Sequence, residues 1–265
     1  MAFRDNSTLI RTASTVNVTA NGSNDTYNGL DGAFAFVIAD GAVGDDTFEN
    51  FGSDDSLLTG RKIFDGNNDG YIAFGPNGVL DVDRTSSRRP GEDQLSLVGS
   101  GDNAITEIRY LGTKDGLFAY ADAATRRNLL DTYENVATVK EGTVGDDTIT
   151  AGSGATVILH DNALGLNMGG DTITGFGADD LLVTTAALFD SDSNETVTFG
   201  RNLILDVSGA EGPQSSDPST GPGGQLDLND PNQVAITFLG ESTIDGIKYY
   251  YYGTADSTVT LPTDL

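Results

Sequence analysis

The strongest constraint on this chain is that it contains one stretch twice. Asp46 to Val82 lies without a gap on Asp171 to Val207 at a displacement of 125 positions, with 16 of 37 residues identical, far more than unrelated segments share. Acidic turns recur: Asp46-Thr47 and Asp171-Thr172, Asp54-Asp55 and Asp179-Asp180, Phe64-Asp65 and Phe189-Asp190, Leu80-Asp81-Val82 and Leu205-Asp206-Val207. Apolar anchors recur between them, with Phe51, Leu57 and Phe74 matched by Phe176, Leu182 and Phe199. A duplicated lobe that keeps aspartates at its turns suggests turns closed by a bound cation.

The apolar residues in both copies come in short runs of period two, such as Ala33 to Ile38, Leu95 to Leu97 and Ile105 to Leu111, separated by Gly, Asp and Asn. That pattern predicts an all-β fold of two homologous lobes of short strands. The expected organisation is an N-terminal arm over 1–13, a first lobe over 14–123, a joining segment over 124–135, a second lobe over 136–253 and a tail over 254–265. Thr125 to Tyr133 has helical spacing and no glycine, which predicts a short joining helix. Ser208 to Gly224, rich in Gly, Ser and Pro, predicts an exposed loop.

Charge narrows the partners. Forty acidic against 14 basic residues give a formal net charge of −26, so the surface repels nucleic acid and anionic lipid. Compaction of such a polyanion is opposed by self-repulsion until counter-ions bind, and divalent cations are the natural partner; a merely soluble or halophilic surface is the plainer alternative. The lobes differ, with 19 acidic and 11 basic residues over 1–127 (−8) and 21 and 3 over 128–265 (−18). There is no cysteine and one histidine, His160, after the run Val157-Ile158-Leu159; thiol chemistry and disulfides are excluded, and His160 reads as a strand-end residue, placed near Ala39 in the first lobe. No catalytic set stands out, because carboxylate pairs occur throughout, and the chain is expected not to be an enzyme. No apolar window is long enough for a membrane span, and Met1 to Ala13 lacks the pattern of a cleaved signal.

The sharpest local motif is Asp65-Gly66-Asn67-Asn68-Asp69-Gly70-Tyr71-Ile72. Oxygen-bearing side chains at Asp65, Asn67 and Asp69, a glycine at the sixth position and the Tyr71 carbonyl at the seventh resemble the first part of an EF-hand calcium loop. Pro76 stands where the closing glutamate would be, and the flanks read as strands, so the stretch is similar to the strand-bound DxDxDG loops; Asp81 and Asp83 are candidates to close it. The second copy offers Asp190, Asp192 and Asn194 with Glu195 at the sixth position, and Asp206 for Asp81. Gly44-Asp45-Asp46-Thr47-Phe48, Gly145-Asp146-Asp147-Thr148-Ile149 and Gly170-Asp171-Thr172-Ile173 resemble single units of the haemolysin-type (RTX) calcium repeat, and the segments Phe51 to Leu57 and Phe176 to Leu182 look like those that cap such rolls. The resemblance implies an irregular parallel β-roll or β-solenoid, calcium at these aspartates and at Asp54, Asp55, Asp179 and Asp180, and export of a type I kind without a cleaved N-terminal signal. For each aspartate the alternative is an Asx-turn that binds only backbone.

The function expected is that of an extracellular or cell-surface structural protein, ordered by calcium, that associates with itself as an oligomer or polymer or adheres to surface polysaccharide. The second possibility is a calcium-dependent carbohydrate-binding module or polysaccharide lyase, for which Tyr249-Tyr250-Tyr251-Tyr252 would offer rings for sugar stacking.

Overall fold

The computed structural model describes residues 14–18, 21–30, 32–38, 43–67, 69–84, 91–101, 103–114, 116–125, 133, 137–164, 166–207, 223–244 and 247–261. The N-terminal arm, nearly all of the expected joining helix and nearly all of the 208–224 loop lie outside these residues. The chain divides into two compact units, Arg4–Arg126 and Arg127–Leu265 with Met1–Phe3. Each described unit is a short β-solenoid.

The first unit contains β1 (Ser14–Val18), β2 (Thr26–Asn28), β3 (Phe34–Ile38), β4 (Asp46–Glu49), β5 (Ser56–Thr59), β6 (Tyr71–Ala73), β7 (Leu80–Asp81), β8 (Gln94–Leu97), β9 (Glu107–Lys114) and β10 (Leu117–Asp122). They form two sheets, of order β1-β3-β5-β10-β9-β6 and β2-β4-β8-β7. Successive coils stack in parallel, β1 on β3 on β5 and β2 on β4 on β8. β5 is the last parallel rung of its sheet, because β10 then pairs with it antiparallel. The Phe51 to Leu57 segment thus leads into the last parallel rung of that sheet, while β8 continues the parallel stack on β4 in the other.

The second unit repeats this with β11 (Thr138–Glu141), β12 (Thr148–Thr150), β13 (Thr156–His160), β14 (Gly170–Thr174), β15 (Leu181–Thr184), β16 (Thr196–Thr198), β17 (Ile204–Asp206), β18 (Gln225–Asp227), β19 (Ala235–Ile244) and β20 (Ile247–Gly253). The sheet orders β11-β13-β15-β20-β19-β16 and β12-β14-β18-β17 match the first unit strand for strand. The hairpins share an irregularity too: register slips beside Tyr120 opposite Tyr110, and beside Tyr252 opposite Phe238.

One core lies between the two sheets. In the second unit it holds Ile149, Ile158, Ile173, Leu182, Leu226 and Tyr252. Tyr27, Phe36 and Phe48 stand at the places of Ile149, Ile158 and Ile173 and pack as rings, with Tyr27 and Phe48 stacked at 5.2 Å and Phe36 edge-on to Phe48 at 5.0 Å. Burying one such side chain contributes about 2 kcal/mol. The opposite face of β13, β15 and β20 is also covered, with Val157, Leu159, Leu181, Val183, Tyr249 and Tyr251 packed against Tyr133 and against Val259 and Leu261 of the C-terminal segment. Strands buried on both faces read as unbroken apolar runs, and every residue of β13 and β15 is buried.

The tail therefore packs onto its lobe: Thr258 N donates to Ala178 O at 2.9 Å, and Leu261 lies where a Cβ on Gly240 would meet it at 2.8 Å. The tyrosine run alternates between the two cores, so Tyr249, Tyr251 and Tyr252 are buried and only Tyr250 is half-exposed. A row of alternate rings open to solvent is not formed.

Candidate metal centres at the coil turns

Close stacking of coils sets the geometry of the turns. Gly44 and Gly169 take φ of +90° and +84°, and a Cβ on either would lie 2.3 Å from the carbonyl oxygen of Ser23 or Gly145 in the coil before. A Cβ on Gly224 would lie 2.2 Å from Gly169 O. Only glycine permits this approach, and the aspartates beside it are carried into the narrow seam between coils.

There they bind backbone across coils. Asp46 Oδ1 accepts from Asp25 N at 2.8 Å, and Asp171 Oδ1 from Asp147 N at 3.0 Å. Asp146 Oδ1 accepts from Gly170 N at 2.8 Å, the bond that Asn24 makes to Asp45 N at 3.2 Å in the first unit. Asp147 also accepts from Thr143 N and its hydroxyl. Asp55 accepts from Phe34 N and Gly52 N, and Asp180 from Thr156 N and Gly177 N. Asp46, Asp55, Asp171 and Asp180 are buried, whereas Asp45, Asp54, Asp146 and Asp179 are exposed.

Burial has electrostatic consequences. Burial raises Asp55 to about 6, against the lowering effect of its two N–H donors. Asp180 is raised for the same reason. Burial also raises Asp46; the Asp25 amide opposes this, and the charges of Asp25, Asp93 and Asp45 add to it. Asp93, which the sequence reading missed, is itself buried and accepts from Val43 N at 3.0 Å and Gly44 N at 3.1 Å.

The two DxDxDG-like loops are wound alike. Asp65 accepts from Asn67 N and Gly70 N, and Asp190 from Asp192 N, Ser193 N and Glu195 N. Asp69 accepts from Tyr71 N and Asn194 from Thr196 N. Across each loop an amide meets a carboxylate, Asn67 to Asp69 at 2.6 Å and Asn194 to Asp192 at 2.9 Å, with the residue types exchanged between copies. Burial raises Asp190, but the N–H groups of Asp192, Glu195 and Ser193 and the contact with the Asp192 side chain together outweigh it and hold its carboxyl below the ordinary carboxylate range. Glu195 takes φ +67° where Gly70 takes +81°, so the second loop keeps the turn with a strained residue at the sixth position.

Asp81 and Asp83 face the amides of Gly91, Glu92 and Asp93. Burial and then the Asp83 contact raise Asp81, whereas the donors around Asp83 outweigh burial and lower it. The same displacement puts Asp206 of the second lobe in the place of Asp81.

Three buried carboxylate oxygens in these turns, Asp46 Oδ2, Asp81 Oδ1 and Asp171 Oδ2, have no hydrogen-bond partner. Among the described residues, no three His, Cys, Asp or Glu side chains are grouped closely enough to hold a metal ion between them. Calcium takes 6–8 oxygens, many of them backbone carbonyls, so paired carboxylates beside the carbonyl-lined seams fit it better than zinc. Comparison with family models, curated proteins and solved structures finds no match to this chain.

Asp25, Asp93, Asp161 and Asn162 were not picked out from the sequence. Asn162 donates to Ala186 O and Val207 O and accepts from Thr185 N and Ala186 N, tying three segments. A spacing of one coil, 21 or 24 positions, between an acidic side chain and the group it caps finds Asp25 with Asp46 and Asp161 with Thr185, whereas Asp93 caps amides 49 and 50 positions away and carries no such signal.

Proposed function

We propose that the chain is an extracellular calcium-ordered structural protein that associates with itself or adheres through its solenoid edges. The observation that carries this reading is the pair of buried carboxylate oxygens without hydrogen bonds, Asp46 Oδ2 and Asp81 Oδ1. A buried acceptor left unsatisfied costs about 1–3 kcal/mol, more when charged, and a hard divalent cation removes that cost. The net charge of −26 favours the same partner. Calcium bound only by the folded chain stabilises it by mass action.

Association is supported by the sheet edges. β1 ends one sheet and β2 the other, and in the second unit β11 and β12 do so; unpaired edges are templates for further strand pairing. Sedimentation velocity with calcium and with chelator tests this. Calcium is expected to raise the sedimentation coefficient reversibly, and identical profiles contradict self-association.

A groove of about 400 Å³ favours a second reading. Asp190, Glu195, Phe238, Glu241 and Tyr250 line it, so a half-exposed ring stands beside one calcium-like loop. That pairing suits calcium-dependent sugar binding. Retention on an acidic polysaccharide column that needs calcium and is lost in Tyr250→Ala supports it; passage unretained with calcium present contradicts it.

A further inference from the structure

One difference between the lobes lies beside the buried aspartate of the turn column. β13 ends at His160, paired with Thr184, and β3 ends at Ile38, paired with Thr59; since Thr184 and Thr59 are equivalent, His160 stands where the first lobe has Ile38. The His160 ring is buried. Its Nε2 donates to Gly223 O at 2.5 Å, and its Nδ1 lies 3.6 Å from Asp171 Oδ2. The imidazole thus fills the space beside the oxygen that Asp171 leaves without a hydrogen bond.

In the first lobe the equivalent aspartate has no such companion. Asp46 is 1% exposed, its Oδ2 has no partner, and its charged neighbours are the carboxylates of Asp25, Asp93 and Asp45. The second lobe has Gly224 at the place of Asp93, by the register that sets Asp46 opposite Leu95 and Asp171 opposite Leu226. The first lobe has gained an acid where the second has gained a base.

We propose that the turn column takes a divalent cation in the first lobe only, at Asp46 with Asp25 or Asp93, and that His160 replaces that cation in the second. The assignment rests on the calcium reading above and narrows it. Two carboxylates supply part of the coordination sphere, and carbonyl oxygens of the seam complete it.

The test is the number of calcium ions bound per chain, measured by equilibrium dialysis against calcium chloride for the whole protein, with circular dichroism as the check on folding. Asp46→Asn keeps an acceptor for the Asp25 amide and is expected to lose one ion, whereas Asp171→Asn loses none. Ile38→His, which carries the test where Asp46→Asn does not fold, is expected to lose one, and His160→Ile to gain one. Equal losses from Asp46→Asn and Asp171→Asn, or no loss from Asp46→Asn and Ile38→His, overturn the assignment while leaving calcium binding intact. A wild-type chain that takes up no calcium overturns this assignment and the reading beneath it.

Discussion

Asp55 and Asp180 hold the same place in their coils, 125 positions apart. Asp55 accepts from Phe34 N at 2.8 Å and Gly52 N at 2.7 Å, and Asp180 from Thr156 N and Gly177 N at 2.8 Å each. Each carboxylate ties the preceding coil to the turn it closes. Alanine at either position leaves two N–H groups without their acceptor and is expected to cost about 2–4 kcal/mol in urea denaturation. A loss below about 0.5 kcal/mol would mean that water satisfies the seam.

Acid should stabilise the fold through Asp55. Its folded carboxyl titrates near 6, against an ordinary 3.8, so on acidification the folded chain takes up this proton before the unfolded chain does. The contribution is fully present below 3.8 and is lost as pH rises through about 6. Melting temperatures of wild type and Asp55→Asn across pH 4 to 7 isolate it, since the other carboxylates are common to both. The gap between them is expected to widen toward low pH in favour of wild type; a constant gap contradicts the assignment.

Glu195 at φ +67° carries strain that Gly70 at +81° avoids. Glu195→Gly is therefore expected to stabilise the chain by about 1 kcal/mol in chelator, and Gly70→Ala to destabilise it by a similar amount. Chemical denaturation of the two variants reads the sign directly.

The coil spacing should be intolerant of a methyl group. Gly169→Ala places a Cβ 2.3 Å from Gly145 O at φ +84°, and a loss of about 2–4 kcal/mol is expected. Gly154→Ala, where nothing lies within 4 Å of the added atom, is the control and should fall within about 0.5 kcal/mol of wild type.

The hydroxyls of Tyr120 and Tyr252 accept from Ile63 N at 2.9 Å and Leu188 N at 2.8 Å, once in each lobe. Phenylalanine at either leaves a buried amide without an acceptor and is expected to cost about 1–3 kcal/mol. Hydrogen exchange at Ile63 and Leu188 checks the cause, because exchange should accelerate there before it does in β5 or β15.

Much of the fold was legible because the middle of each lobe kept its length. Asp46 to Val82 and Asp171 to Val207 align without gaps, and β4 to β6 fall on β14 to β16 at that displacement. The first coils were harder: matching the end of Val157-Ile158-Leu159 to the end of the run Ala33 to Ile38 puts His160 at Ala39, whereas the strand pairing puts it at Ile38. Aromatic packing hid the repeat as well, since Tyr27, Phe36 and Phe48 fill the places of three isoleucines. The acidic turns were visible as turns, but bonds such as that from Asp25 N to Asp46 join different coils. Such partners follow from stacking rather than from local sequence, and so Asp93 escaped notice.

The measurement that bears most directly on the account is a calorimetric titration of chelated protein with calcium, with magnesium as control and circular dichroism followed in parallel. Heat of binding with calcium but not magnesium, together with a gain of β signal or of melting temperature, is the predicted result. No heat and no spectral change would mean that the aspartates only close turns, and would contradict the claim that a cation completes them.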